Sequence, residues 1–224
     1  MNETIEKEPS AAEAGAAAAK TLGKRERTKA SNKEAILDAA REVFAEVGYG
    51  AASVRDIIRR TGLASGTFYN YFKSKEEVFE ALMDDGALRI RPVIRAARLA
   101  SRTFEEFIRN AYKAYFNYVL TDEAQFRLMR RNTGALRVRM VTPEVLAGFD
   151  EIQSFVEEDV KSGKVPPMDA ELFAAAAVGL AQEMSERMMM RDNPNADEAA
   201  EFAANFLLAG LKGVIDRGNA QNNA

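Results

Sequence analysis

The sequence predicts an all-α fold: a three-helix helix-turn-helix unit followed by a larger helical domain. Three observations carry that expectation. Apolar residues recur at helical spacing from Ile36 almost to the end of the chain. No segment shows the apolar–polar alternation of a half-buried strand. Three helical segments crowd into about 40 residues, the last two joined by a tight Gly-containing turn, which is the anatomy of a helix-turn-helix.

Residues 1–23 are polar and Ala-rich, with Pro9, Gly15 and the run Ala16 to Ala19, and read as a disordered leader with at most transient helix. A basic arm follows, with Lys20, Lys24, Arg25, Arg27, Lys29 and Lys33. Its cations either form a solvated run or contact phosphate ahead of the first helix. That helix is expected from Ser31 to Val47, capped by Ser31 or Asn32, with Ile36, Ala39, Ala40, Val43, Phe44 and Val47 on one face, and stopped by Gly48. Ser53 caps a second helix carrying Val54, Ile57 and Ile58, and Gly62 ends it. A third spans about Ser65 to Tyr71, with Phe68 inward. A connecting helix holding Val78, Phe79 and Leu82 is expected to falter near Gly86 and Pro92. Further helices follow: one bearing Phe104 to Val119, one from Ala124 to Asn132, one opening on Pro143, one from Asp169 to Met190 and one from Asp197 to Asp216. The boundaries implied are a leader over 1–23, a helix-turn-helix domain over 24–76 and a ligand-binding and dimerisation domain over 77–218.

Composition prunes the chemistry. With no His and no Cys, the chain has no imidazole or thiolate to ligate zinc, no Ser-His-Asp triad and no thiol nucleophile. No paired carboxylates or phosphate-cradling Gly loop stand out, so no catalytic residue, metal or cofactor is expected. Neither a signal peptide nor an apolar run of membrane-spanning length is present, and the cytoplasm is the expected compartment. Net charge is −3, yet Lys24 to Lys75 holds eleven Lys/Arg against six Asp/Glu. A basic segment on an acidic body suits a chain that puts one end on phosphate.

Within the third helix, residue types match what a helix in a major groove needs. Gly66 permits close backbone approach, and Ser65 and Thr67 offer short hydroxyls to bases. Tyr69 and Tyr71 can donate to phosphate oxygens, and Asn70 can serve base or phosphate. Lys75 adds charge at the next helix N-terminus, where the dipole already attracts an anion. Ser53 and Arg55 stand at the start of the second helix, Arg55 as a phosphate contact. Phe68 and Phe72 read as core, Tyr71 as partly core, and Arg59 and Arg60 as a solvated face or further contacts.

The stretch from Ala35 to Lys75, AILDAAREVFAEVGYGAASVRDIIRRTGLASGTFYNYFKSK, resembles the DNA-binding domain of the TetR family of repressors. The resemblance rests on the Ala39-Ala40 to Phe44 spacing, the Gly48-Tyr49 corner, the Val54 and Ile57 core, and the run Gly66 to Lys75. It implies Tyr69 and Lys75 as phosphate clamps and Ser65, Gly66 and Thr67 nearest the bases. Ala64 departs from it, standing where many members carry a hydroxyl residue.

In the second domain, four Tyr or Phe fall between Tyr112 and Tyr118, more aromatic surface than one buried face requires. Phe107, Tyr112 and Tyr115 are either core or the wall of a mainly apolar pocket, and the resemblance implies a ligand pocket here. The segment Phe126 to Arg139 resembles TetR-type regulators of fatty-acid metabolism, which sense acyl thioesters. Arg130, with Arg127 and Arg131, is either a contact for an anionic headgroup or a solvated cation, and solvation is the more common fate of such arginines. The last two helices are rich in small residues: Ala174 to Ala177, Gly179 and Ala181, then Ala199, Ala200, Ala203, Ala204, Ala209 and Gly210. In the family this pair packs against its twin; the alternative is packing within one chain.

The expectation is a homodimeric repressor that binds a palindromic double-stranded operator and releases it when a small apolar or amphipathic effector enters the larger domain. An activator of the same fold is not distinguished by sequence. A carboxylate or lysine enzyme would carry a polar cavity instead, and a DNA-packaging protein would carry none.

Overall fold

The computed structural model describes residues 11–132 and 142–222, with side chains described over 23–132 and 142–213. Among the described residues the chain is all-α, with nine helices and no strand. They are α1 (Ala11–Val47), α2 (Val54–Thr61), α3 (Ser65–Tyr69), α4 (Lys75–Leu99), α5 (Phe104–Thr121), α6 (Glu123–Arg131), α7 (Pro143–Lys161), α8 (Ala170–Met189) and α9 (Ala196–Asn222).

Two boundaries differ from expectation. α1 starts at Ala11, so Ser31 and Asn32 lie inside a helix and cap nothing. The Ala-rich stretch ahead of them has the strongest intrinsic helix preference, and no proline follows Pro9 to oppose it. The basic residues Lys24, Arg25, Arg27, Lys29 and Lys33 are exposed along this helix. α4 runs without a break through Gly86 and Pro92. Pro92 removes one backbone donor on an exposed face, and the helix tolerates that loss. Gly86 is buried under α6, where a Cβ would stand 2.5 Å from the Gln125 amide nitrogen. A glycine in a helix interior costs about 1 kcal/mol relative to alanine. Here it leaves room for the end of the Gln125 side chain.

The expected stops and caps form elsewhere. Ser53 caps α2 in a reciprocal box with Asp56, and Gly62 ends it at φ 67°. Thr103 and Asp169 cap α5 and α8, and Pro143 opens α7.

Two cores result. The first gathers Ile36, Ala40 and Phe44 of α1, Ile57, Phe68, Phe72, and Val78, Phe79 and Leu82 of α4. Phe44 meets Phe79 edge-to-face at 5.4 Å. Leu128 of α6, fully buried, belongs to this first core although it lies far along the chain. The second core joins α5, α7, α8 and α9 through Phe104, Phe107, Phe116, Val156, Phe173 and Met188. Arg98 on α4 makes a two-pronged pair with the buried Asp159 of α7 at 2.7 Å on each arm. The Arg98 guanidinium also lies 5.1 Å from the Phe107 ring centre. α4 therefore belongs to both cores and links them rigidly.

The small residues of α9 divide by face. Ala199, Ala200, Ala203 and Ala204 are buried within the chain, where their short side chains let α9 approach closely. Ala204 is fully buried and presents nothing to a second copy, so that half of the stripe is intramolecular packing. The other face stays open. Phe202 and Phe206 are 61% and 63% exposed and stack on each other, and Leu172 on α8 is 68% exposed.

Candidate DNA interface and effector cavity

The helix-turn-helix presents most of the expected residues together on one exposed side. Ser65, Gly66, Tyr69 and Asn70 are exposed, Thr67 partly so, and Tyr69 leans edge-on against Phe68, which anchors it from below. Nothing lies within 4 Å of a Cβ built on Gly66, so the fold itself does not require glycine there. The departure at Ala64 has a local effect: it is the N-cap of α3 and supplies no side-chain hydrogen bond. Tyr71 is half-buried against the first core, with its ring held partly inside. Arg55 is exposed with no ion pair among the described residues, whereas Arg60 is tied to Glu46 at 2.8 Å and to Glu42 at 3.2 Å.

Two expected contacts are occupied internally. The Ser53 hydroxyl accepts from the Asp56 amide and donates to its carboxylate, which holds the Asp56 carboxyl below the usual range. Lys75 is the more fully engaged of the two. Its ammonium donates to the carbonyls of Tyr49 at 2.8 Å, Ala52 at 2.9 Å and Gly50 at 3.5 Å. It also sits 4.7 Å from the centre of the Tyr49 ring. An ammonium has three donors. All three point into the α1–α2 turn rather than outward to phosphate. The same turn is gripped from α6: buried Asn132 accepts from the Tyr49 amide at 2.6 Å and donates to the Phe44 carbonyl at 3.1 Å.

A cavity of about 540 Å³ lies between α4, α5, α6, α7 and α8. Its wall contains all four residues expected of the ligand site, Phe107, Tyr112, Tyr115 and Arg130. The choice between core and pocket dissolves, because Phe107 and Tyr112 are buried core residues whose inner faces also line the space. Apolar side chains dominate: Ile90 and Ile94 of α4, Ile108, Phe149, Ile152 and Phe155. Tyr112 donates to the Ala177 carbonyl at 3.0 Å, and Tyr118 to Asp122 at 3.0 Å. Burial pushes the Tyr112 and Tyr115 phenols up, and that of Tyr118 to about 12, so all three stay neutral. The cations of the wall already have carboxylates. Arg91 meets Glu144 at 2.6 Å and Glu151 at 3.2 Å, and Arg130 lies 4.0 Å from Glu186. Arg95 and then Arg91 hold the Glu151 carboxyl below its usual range.

Sequence reasoning missed the α4, α7 and α8 walls and, apart from Arg130, the α6 wall. Met83, Gly86, Gln125 and Met129 line the same cavity. The available signal was Gly86, a glycine inside a long apolar-periodic helix, which marks a close approach. Of the segment Phe126 to Arg139, residues 133–139 lie outside the described residues.

A helix-turn-helix unit is thus joined by one unbroken helix to a domain with an apolar cavity. Residues 36–82 match the family described as "Bacterial regulatory proteins, tetR family". Among its relatives, the "Fatty acid metabolism regulator protein" of Bacillus subtilis (strain 168) is 27% identical over 70% of this chain and 83% of that one. The "HTH-type transcriptional activator FasR" of Mycolicibacterium smegmatis is 26% identical over 80% of this chain and 82% of that one. The structure of "fatty acid degradation regulator FadR from Bacillus halodurans" is 25% identical with a TM-score of 0.68, covering 79% of this chain and 94% of that one. These relatives are transcriptional regulators, and among the described residues no helix is long and apolar enough to cross a membrane.

Proposed function

We propose that this chain is a cytoplasmic, ligand-responsive transcriptional repressor that binds a palindromic operator as a homodimer and leaves it when an amphipathic, long-chain acyl effector fills the cavity. The observation that carries the reading is the double duty of α6. Gln125, Phe126, Met129 and Arg130 line the cavity, while Leu128 and Asn132 of the same segment are fixed in the DNA-reading unit. A ligand that repositions α6 therefore acts on the α1–α2 turn without an intermediary. Only a difference in affinity between the two arrangements can shift the equilibrium, and the same difference weakens the effector when operator is bound.

In this reading Ser65, Gly66 and Thr67 face bases, and Tyr69, Asn70 and Arg55 hold phosphates. The second copy docks on the open faces of α8 and α9, where Leu172, Ala175, Ala176 and Gly179 adjoin Phe202, Phe206 and Gly210. A two-fold dimer sets its recognition helices about 34–36 Å apart, one turn of DNA. The mainly apolar cavity favours a hydrocarbon chain over a compact polar metabolite, in line with the fatty-acid regulators among the relatives. Calorimetry with acyl chains of increasing length tests this. Each buried CH₂ contributes about 0.8 kcal/mol, so affinity should rise about fourfold per carbon until the space is full. Operator release in a gel shift should follow the same order. Flat, weak binding at every length would remove the acyl reading.

An activator is the second reading, because FasR bears that description. A reporter fused to the operator separates the two by the sign of its response.

A further inference from the structure

Gln125 is 7% exposed, sits on α6 and lines the cavity. Its carboxamide is oriented by a single neighbour: the Arg89 guanidinium donates to Gln125 Oε1 at 3.4 Å. Arg89 has only donors, so the oxygen must face it and the NH₂ must face away. Among the described residues no acceptor takes the two hydrogens on Nε2. Gln125 lines the cavity, so these two hydrogens are available to an acceptor that enters it. Gly86 on α4 lies against this group, and a Cβ there would meet Nε2 at 2.5 Å, so a larger residue would turn the amide away from its present seat.

We infer that the Gln125 carboxamide, seated against Gly86, is the polar reader of the effector: it donates to an unprotonated carbonyl oxygen, that of an acyl ester or thioester. This rests on the acyl-effector reading above and adds the chemistry of recognition to it. The alternatives at the wall do not serve as well. The arginines Arg91 and Arg130 already face carboxylates, so a free carboxylate entering there meets Glu151, Glu144 or Glu186. The phenols of Tyr112 and Tyr118 donate within the chain. Gln125 thus offers a neutral donor for a neutral acceptor. Its place on α6 also connects carbonyl capture to the helix that grips the α1–α2 turn.

The test compares two probes of equal chain length, palmitoyl-coenzyme A and its thioether S-hexadecyl-coenzyme A, which lacks only the carbonyl oxygen. Calorimetry on the full chain should show the thioester binding about 3- to 10-fold tighter, the range for one hydrogen bond. Gln125→Met, close in volume and without donors, should bind both probes equally while keeping the dependence on chain length. Gly86→Ala, by displacing the amide, should reduce the preference in the same direction. Equal binding of the two probes by the unaltered chain, or a preference that survives Gln125→Met, overturns the assignment and leaves the acyl reading standing. Binding of neither probe, at any chain length, overturns both.

Discussion

Replacing Lys75 by Met keeps the aliphatic stem and removes the ammonium. The structure sets the expected loss. Two good charge-assisted hydrogen bonds, at 2.8 and 2.9 Å, and one long one at 3.5 Å disappear together with the contact to the Tyr49 ring. Hydrogen bonds to charged groups contribute about 1.5–3 kcal/mol each, and a partly exposed cation–π contact about 0.5–1 kcal/mol. Lys75 is half-buried, so water replaces part of this, and a net destabilisation of about 2–4 kcal/mol is expected. Urea titrations at fixed protein concentration, followed by circular dichroism, read it directly. Operator affinity should fall as well, because the turn that aims α2 is loosened. The slope of log K against log salt should stay unchanged, since no phosphate contact is removed. A phosphate-clamping lysine behaves oppositely: stability holds and the slope drops by about 0.9. Observing that second pattern would refute the assignment of Lys75 to the turn.

Other perturbations are equally direct. Asn132→Ala removes the acceptor of the Tyr49 amide and one of the two donors to the Phe44 carbonyl, about 1–3 kcal/mol, and should uncouple the two ends: the effector still binds by calorimetry but no longer releases operator in a gel shift. Asp159→Asn leaves Arg98 without its charge partner, and breaking such a buried pair costs about 3–5 kcal/mol. The Arg98 hydrogen bonds hold the Asp159 carboxyl below its usual range. Its contribution is therefore full above the unfolded carboxyl value, near 4, and is lost as pH falls through the lowered folded value. Urea midpoints of parent and variant should converge in acid and separate at neutral pH. Phe206→Glu places a charge on the open α9 face without touching the chain's own core; sedimentation should report monomer, and a surviving dimer would place the interface elsewhere. Thr67→Ala should narrow the ratio of operator to random-DNA affinity, while Tyr69→Phe should weaken both alike.

Sequence alone determined the elements whose signals are local. Ser53, Gly62, Pro143 and Asp169 mark helix ends by their own chemistry, and the 3.6-residue spacing of Ile36, Ala40, Val43 and Phe44 fixes which side of α1 is buried. The aromatic density from Phe107 to Tyr118 likewise announced a cavity wall. Tertiary structure decided whatever depends on which helices meet. Lys75 is a phosphate clamp by position and a turn brace by neighbourhood, because only folding sets three carbonyls around it. Gly86 reads as a break in a helix until α6 is laid across it, and Ala204 as a dimer contact until α9 is packed into its own chain. Gln125 and Asn132 have no periodic or spacing signature. A single polar side chain acquires a role only when burial strips it of water and leaves specific groups to satisfy, and burial is a property of the assembled helices.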